Sequence, residues 1–135
     1  MTRVSLRLLL VEDEALIAMM AEDLIETLGH RVVITAASLG EAHLACAAPL
    51  FDAALLDVNL NGESSMEVAT LLKACGCPFA FTTGYGAGGI DAAHADRPVL
   101  TKPYALSELE AVLAGFAVHL AGTSSMTSSV DSKRG

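Results

Sequence analysis

Long apolar runs are missing from this 135-residue chain. Glu12, Glu22, Arg31, Glu41 and Asp52 interrupt the hydrophobic stretches well before the roughly 20 residues that a bilayer span needs. Membrane insertion is therefore not expected, despite a hydrophobic share of 53% and a mean hydropathy of +0.50. Basic residues are scarce as well: 8 Lys and Arg face 16 Asp and Glu, for a formal charge of -8. Phosphate backbones draw most of their affinity from Lys and Arg, so direct DNA or RNA binding is disfavoured, as is adhesion to anionic membranes. Cysteine is sparse and odd in number, and Cys75-Gly76-Cys77 lacks the two-residue gap of redox and zinc motifs. Buried, reduced thiols in a cytoplasmic protein are expected. The start of the chain runs straight into Glu12-Asp13-Glu14 without a small-residue cleavage site, which reads against a signal peptide. The length suits one domain.

What is present alternates between two periodicities. Leu8 to Val11 is a continuous aliphatic run that suits a strand covered on both faces. Ile17, Met20, Ala21, Leu24 and Leu28 recur at helical spacing and predict a helix from about Glu14 to Leu28, stopped by Gly29. Val32, Val33, Ile34 and Thr35 predict a second strand over Arg31 to Ala36. Ser38-Leu39-Gly40-Glu41 has the form of a capping box and opens a helix that ends before Pro49.

Ala53 to Leu56, ending on Asp57, reads as a third strand, followed by a helix that Ser64 or Ser65 can cap. Pro78 to Thr83 and Pro98 to Thr101 supply the fourth and fifth strands, and a capping box at Ser107 to Glu110 leads into the last helix. Four glycines between Gly84 and Gly89 make any helix there short or mobile. Residues 1–121 are expected to form the folded domain, and the Ser/Thr-rich stretch 122–135 a disordered tail. Strands alternating with helices imply right-handed βαβ units, hence an α/β doubly wound five-stranded parallel sheet in a three-layer sandwich.

In such sheets the chemistry lies outside the carboxyl ends of the strands. Four of those ends carry reactive side chains: Glu12 and Asp13 after the first, Asp57 after the third, Thr83 at the fourth and Lys102 after the fifth. Three convergent carboxylates repel one another, and a hard divalent cation relieves that repulsion; Mg2+ fits best because it binds through few carboxylates and accepts phosphate oxygens. Lys102 and Thr83 add an ammonium and a hydroxyl, so the crevice suits a tetrahedral anion, with Asp57 as nucleophile toward a phosphoryl group. Neither a G-x-x-x-x-G-K-[ST] loop nor a G-x-G-x-x-G after the first strand is present, so a nucleotide is not the expected donor.

Leu8-Leu9-Leu10-Val11-Glu12-Asp13-Glu14, Leu55-Leu56-Asp57-Val58-Asn59-Leu60-Asn61-Gly62, Thr83-Gly84 and Thr101-Lys102-Pro103 resemble the receiver domain of bacterial two-component response regulators. The resemblance covers about Arg7 to Leu120. It implies the flavodoxin-like strand order 2-1-3-4-5 and Mg2+ held by Glu12, Asp13, Asp57 and the backbone carbonyl of Asn59. It also implies phosphorylation of Asp57 from a phosphohistidine, with autodephosphorylation, and Thr83 and Lys102 contacting the phosphoryl group. A cis peptide bond before Pro103 is implied as well.

Pro78-Phe79-Ala80-Phe81-Thr82-Thr83-Gly84-Tyr85 resembles the motif of the FAT GUY receiver subgroup, whose members are often single-domain and work with histidine kinases of the HWE or related type. Thr82 departs from that motif, which has Ala there. Val99 stands where receivers often place an aromatic switch residue, and Asn61 where many have Pro. The resemblance implies a histidine kinase and an unidentified downstream protein as partners. Two other readings of the residues stand beside the phosphorylated switch: a flavodoxin-like binding module not switched by phosphate, and a small phosphohydrolase using Asp57 as a transient nucleophile.

Overall fold

A computed structural model describes residues 4–84 and 88–134. Five strands form one parallel sheet: β1 (Arg7–Val11), β2 (Arg31–Ala36), β3 (Ala53–Asp57), β6 (Phe79–Thr83) and β7 (Val99–Thr101). Their order is β2-β1-β3-β6-β7, which is 2-1-3-4-5 when the sheet's own strands are counted in sequence. Helices α1 (Ala15–Thr27) and α4 (Leu106–Arg134) cover one face, and α2 (Leu39–Ala47) and α3 (Met66–Ala74) the other.

Strict alternation along the strands divides the core between these faces. Leu8, Leu10, Ala53, Leu55 and Ala80 pack under α1 and α4 with Ile25, Leu109, Leu113 and Phe116. Leu9, Val11, Ala54, Leu56, Phe79 and Phe81 pack under α2 and α3 with Ala42, Ala45, Val68 and Leu72. Because both faces are covered, the central strands read as unbroken apolar runs. Among the described residues no helix is long and apolar enough to cross a membrane.

Some local expectations hold and others are corrected. The buried stripe of α1 is Ala18, Ala21 and Ile25, about one residue round from the predicted one, which leaves Met20 44% exposed. Ser38 Oγ accepts from the Glu41 amide and caps α2 as expected, while Glu41 Oε1 reaches back to the Ala37 amide, one residue before the cap. At α3 the Met66 amide donates to Ser64 Oγ, while the buried Ser65 hydroxyl turns inward onto the Asp57 and Val58 carbonyls. Ser107 lies inside α4 instead of capping it, because the first helical bond runs from the Leu109 amide to the Ala105 carbonyl. Cys77 is buried and Cys46 half-buried, but Cys75 at the end of α3 is exposed.

One feature was not expected from sequence. Asn59–Leu60 (β4) and Glu63–Ser64 (β5) form an antiparallel hairpin beyond β3. Its two-residue turn is Asn61-Gly62, both at positive φ, a pair of residues that itself signals a hairpin. Between β6 and β7 the described residues hold a single turn of 3-10 helix, η1 (Ala92–His94), the short helix that the glycines before it lead one to expect. Helix α4 runs through 122–134, where composition predicts a tail; among the residues whose side chains are described, Leu120 is the last along it that packs on the core.

Candidate functional site

Register brings the reactive residues together. Val11 pairs with Leu56, Asp57 with Thr82, and Thr83 with Thr101, so the strands stop at one level and the residues just past them share a rim. The Lys102 amide donates to the Thr83 carbonyl at 2.8 Å, which sets the lysine beside β6. The Lys102–Pro103 bond is cis.

Lys102 Nζ lies 2.8 Å from Asp57 Oδ2, 3.1 Å from Glu12 Oε1 and 3.9 Å from Glu14 Oε1. One ammonium thus bridges carboxylates from β1 and β3. The other atoms of the acids are also engaged: the Glu14 amide donates to Glu12 Oε2 at 3.0 Å, the Asn59 amide to Asp57 Oδ1 at 3.2 Å and the Asn61 amide to Asp13 Oδ2 at 3.0 Å. Burial pushes the Glu12 carboxyl above its usual range, only partly offset by the Glu14 amide and Lys102. Burial by itself would push the Lys102 ammonium down, but the hydrogen bonds to Asp57 and Glu12 outweigh it and hold the lysine charged above its ordinary value.

An open cleft of about 620 Å³ lies over these groups, lined by Asp13, Asp57, Asn59, Thr83, Gly84, Gly88, Gly89 and Lys102 together with the hairpin. Glu12 does not line it; it is buried beneath the lysine. Carboxylate oxygens of Glu12, Asp13 and Asp57 nevertheless all fall within 4.8 Å of one another. Three hard anionic donors against one ammonium, with the Asn59 residue on the wall, form a donor set that fits a small divalent cation.

Alternation along β6 separates the two threonines. Thr83 faces the cleft, whereas Thr82 is buried on the far side, where, among the described residues, neither its hydroxyl nor the buried Tyr104 hydroxyl has a hydrogen-bond partner. Burial raises the Tyr104 phenol to about 12. Tyr85, which the motif ends on, lies outside the described residues. Sequence reasoning missed Asn61, although the Asn-Gly pair marks it, and the contact of Glu14 with the lysine, which only the geometry of the helix start reveals.

The solution structure of SdrG from Sphingomonas melonis Fr1 is similar to this chain, with 41% identity, a TM-score of 0.75, and coverage of 87% of this chain and 99% of that one. The solution structure of the BeF3-activated conformation of SdrG from Pseudomonas melonis Fr1 matches with 41% identity and a TM-score of 0.69, covering 80% of this chain and 92% of that one. The PhyR response regulator REC domain of Erythrobacter litoralis, in its solution NMR structure, matches at 29% identity and a TM-score of 0.68, covering 84% and 91% respectively. No family model matches the chain, and neither does any curated protein. Strand order, the rim of acids and lysine, and the likeness to SdrG over most of both chains together show that the chain belongs to the receiver domains of two-component response regulators.

Proposed function

We propose that this receiver takes a phosphoryl group onto Asp57 from the phosphohistidine of a histidine kinase or phosphotransfer protein, and thereby alters its affinity for a downstream protein. The observation that carries this is the 2.8 Å contact of Lys102 with Asp57 on the floor of the open cleft. An Asp57 carboxylate oxygen attacks phosphorus; the new O–P bond forms as the P–N bond to the donor imidazole breaks, and the nitrogen keeps the electron pair. Lys102 then neutralises a phosphoryl oxygen, and Thr83 donates its hydroxyl to another.

Glu12, Asp13, Asp57 and the Asn59 carbonyl would hold Mg2+. When bound, the ion offsets the charge of the phosphoryl oxygens. Among the described residues an added Cβ at Gly84 or Gly88 would meet nothing within 4 Å, which supports room for the group to enter. The resemblance of 78–85 to the FAT GUY motif supports a kinase of the HWE type, and the excess of acids supports protein partners in the cytoplasm over DNA. Residues 1–121 make up the receiver on this reading, with 122–135 outside it.

Intact mass after incubation with Mg2+ and a small acyl phosphate tests the reading. The wild type gains one phosphoryl group and Asp57→Ala gains none. No adduct and no turnover at saturating Mg2+ would contradict it. Repeated release of phosphate from varied substrates would point to a hydrolase instead.

A further inference from the structure

The β4–β5 hairpin reaches back across the strand ends through one residue. Asn61, at φ 53, directs its main-chain N–H to Asp13 Oδ2 at 3.0 Å and its side-chain amide to the Ala37 carbonyl at 3.4 Å. Asp13 lies just past β1 and Ala37 just past β2, so Asn61 ties the hairpin to both neighbouring strand ends. Among the described residues, the Asn61 N–H is the one hydrogen-bond donor given to the Asp13 carboxylate. Unlike Glu12 and Asp57, Asp13 is not held by the lysine, and it is only partly buried. Without the N–H its carboxylate would sample several rotamers, and ligating a cation would have to freeze them.

We propose that Asn61 is a positioning residue: its backbone N–H fixes one Asp13 oxygen and so turns the other toward the cation that Asp13 shares with Asp57. This rests on reading the acid cluster as a Mg2+ site. Groups that orient a metal ligand in this way change affinity without touching the ion. The device depends on the backbone at 61. The observed φ suits Asn or Gly, and proline could supply neither that φ nor the N–H.

Calorimetric titration of Mg2+ into the wild type, Asn61→Pro and Asn61→Gly tests this, with melting curves in chelator as a control for folding. Asn61→Pro should weaken Mg2+ binding by about tenfold or more, the range seen when outer-shell partners of metal ligands are removed. Asn61→Gly keeps the N–H and the positive φ, and should bind nearly as the wild type does. Wild-type affinity in Asn61→Pro, or an Asn61→Gly as weak as the proline variant, would overturn the proposal. A wild type that binds no Mg2+ would overturn the metal reading beneath it. Should the proline variant fail to fold, hydrogen exchange at the residue 61 amide decides: it should be slowed in the wild type and released in Asp13→Ala, and equal exchange in the two overturns the proposal.

Discussion

The Lys102 ammonium sits 2.8 Å from Asp57 Oδ2 while also reaching Glu12, so a single cation compensates two buried carboxylates from different strands. Lys102→Met keeps the stem and removes the charge. Breaking a buried pair by deleting one partner costs about 3 kcal/mol or more, and urea unfolding in chelator should show a loss of that order. Glu12 fixes the sign with pH. Its folded-state pKa is raised, so its stabilising contribution is present at low pH and lost as pH rises through that value. With the lysine gone the raised value climbs further, and the deficit of Lys102→Met should shrink on acidification. A deficit that grows toward low pH would contradict the assignment.

The Arg7–Asp52 pair at the opposite end of the sheet carries the reverse sign. Asp52 accepts from the Arg7 amide at 2.8 Å and from its guanidinium at 3.0 and 3.3 Å, which holds the carboxyl below the usual carboxylate range. Its contribution is present above the unfolded value and lost as pH falls through the folded one. Solvent reaches the pair, so Asp52→Asn should cost at most about 1 kcal/mol at neutral pH. The gap between wild type and variant should close in acid unfolding as pH falls through the lowered Asp52 value.

Two glycines distinguish backbone strain from contact. Gly62 has φ +83 with nothing within 4 Å of an added Cβ, whereas Gly89 has φ +91 and would place Cβ 3.3 Å from Val58 Cγ1. Gly62→Ala should lose about 1 kcal/mol from conformation alone. Gly89→Ala should lose more, because Val58 must also yield. Equal midpoints in chemical denaturation would show that Val58 moves freely.

Helix α4 seats Leu109, Leu113 and Phe116 in the core, and Leu120 packs at the edge. If the Ser/Thr-rich stretch lies outside the folded domain, as its composition predicts, a chain ending at Gly122 should unfold within about 0.5 kcal/mol of the full chain, the scale of changes away from the core. A larger loss would assign the segment after Gly122 to the folded domain.

The parts of the fold that can be read from sequence are those fixed by burial. Leu8 to Val11, Ala53 to Leu56 and Phe79 to Phe81 are apolar throughout because helices cover both faces, and the first two runs end where Glu12 and Asp57 meet the rim. Parallel pairing then levels the ends, so Glu12, Asp57, Thr83 and Lys102 are legible as a group from their places after the strands. Features set by competition between nearby groups were less legible. Ser65 could cap α3, but its hydroxyl satisfies two buried carbonyls instead. Ser107 could cap α4, but the helix gains a further bond by starting at Leu106. The Asn61-Gly62 hairpin carried a local signal whose meaning depends on Asp13, 48 residues away.

Locating the acyl phosphate tests the central claim most directly. Borohydride reduces an aspartyl phosphate to homoserine, which peptide mass spectrometry places by residue. After treatment with Mg2+ and a phosphohistidine or acyl phosphate donor, homoserine should appear at position 57 and vanish when Mg2+ is withheld. Homoserine absent at 57, or a reduced carboxyl at Glu12 or Asp13 in its place, would contradict the assignment of Asp57 as the phosphoryl acceptor.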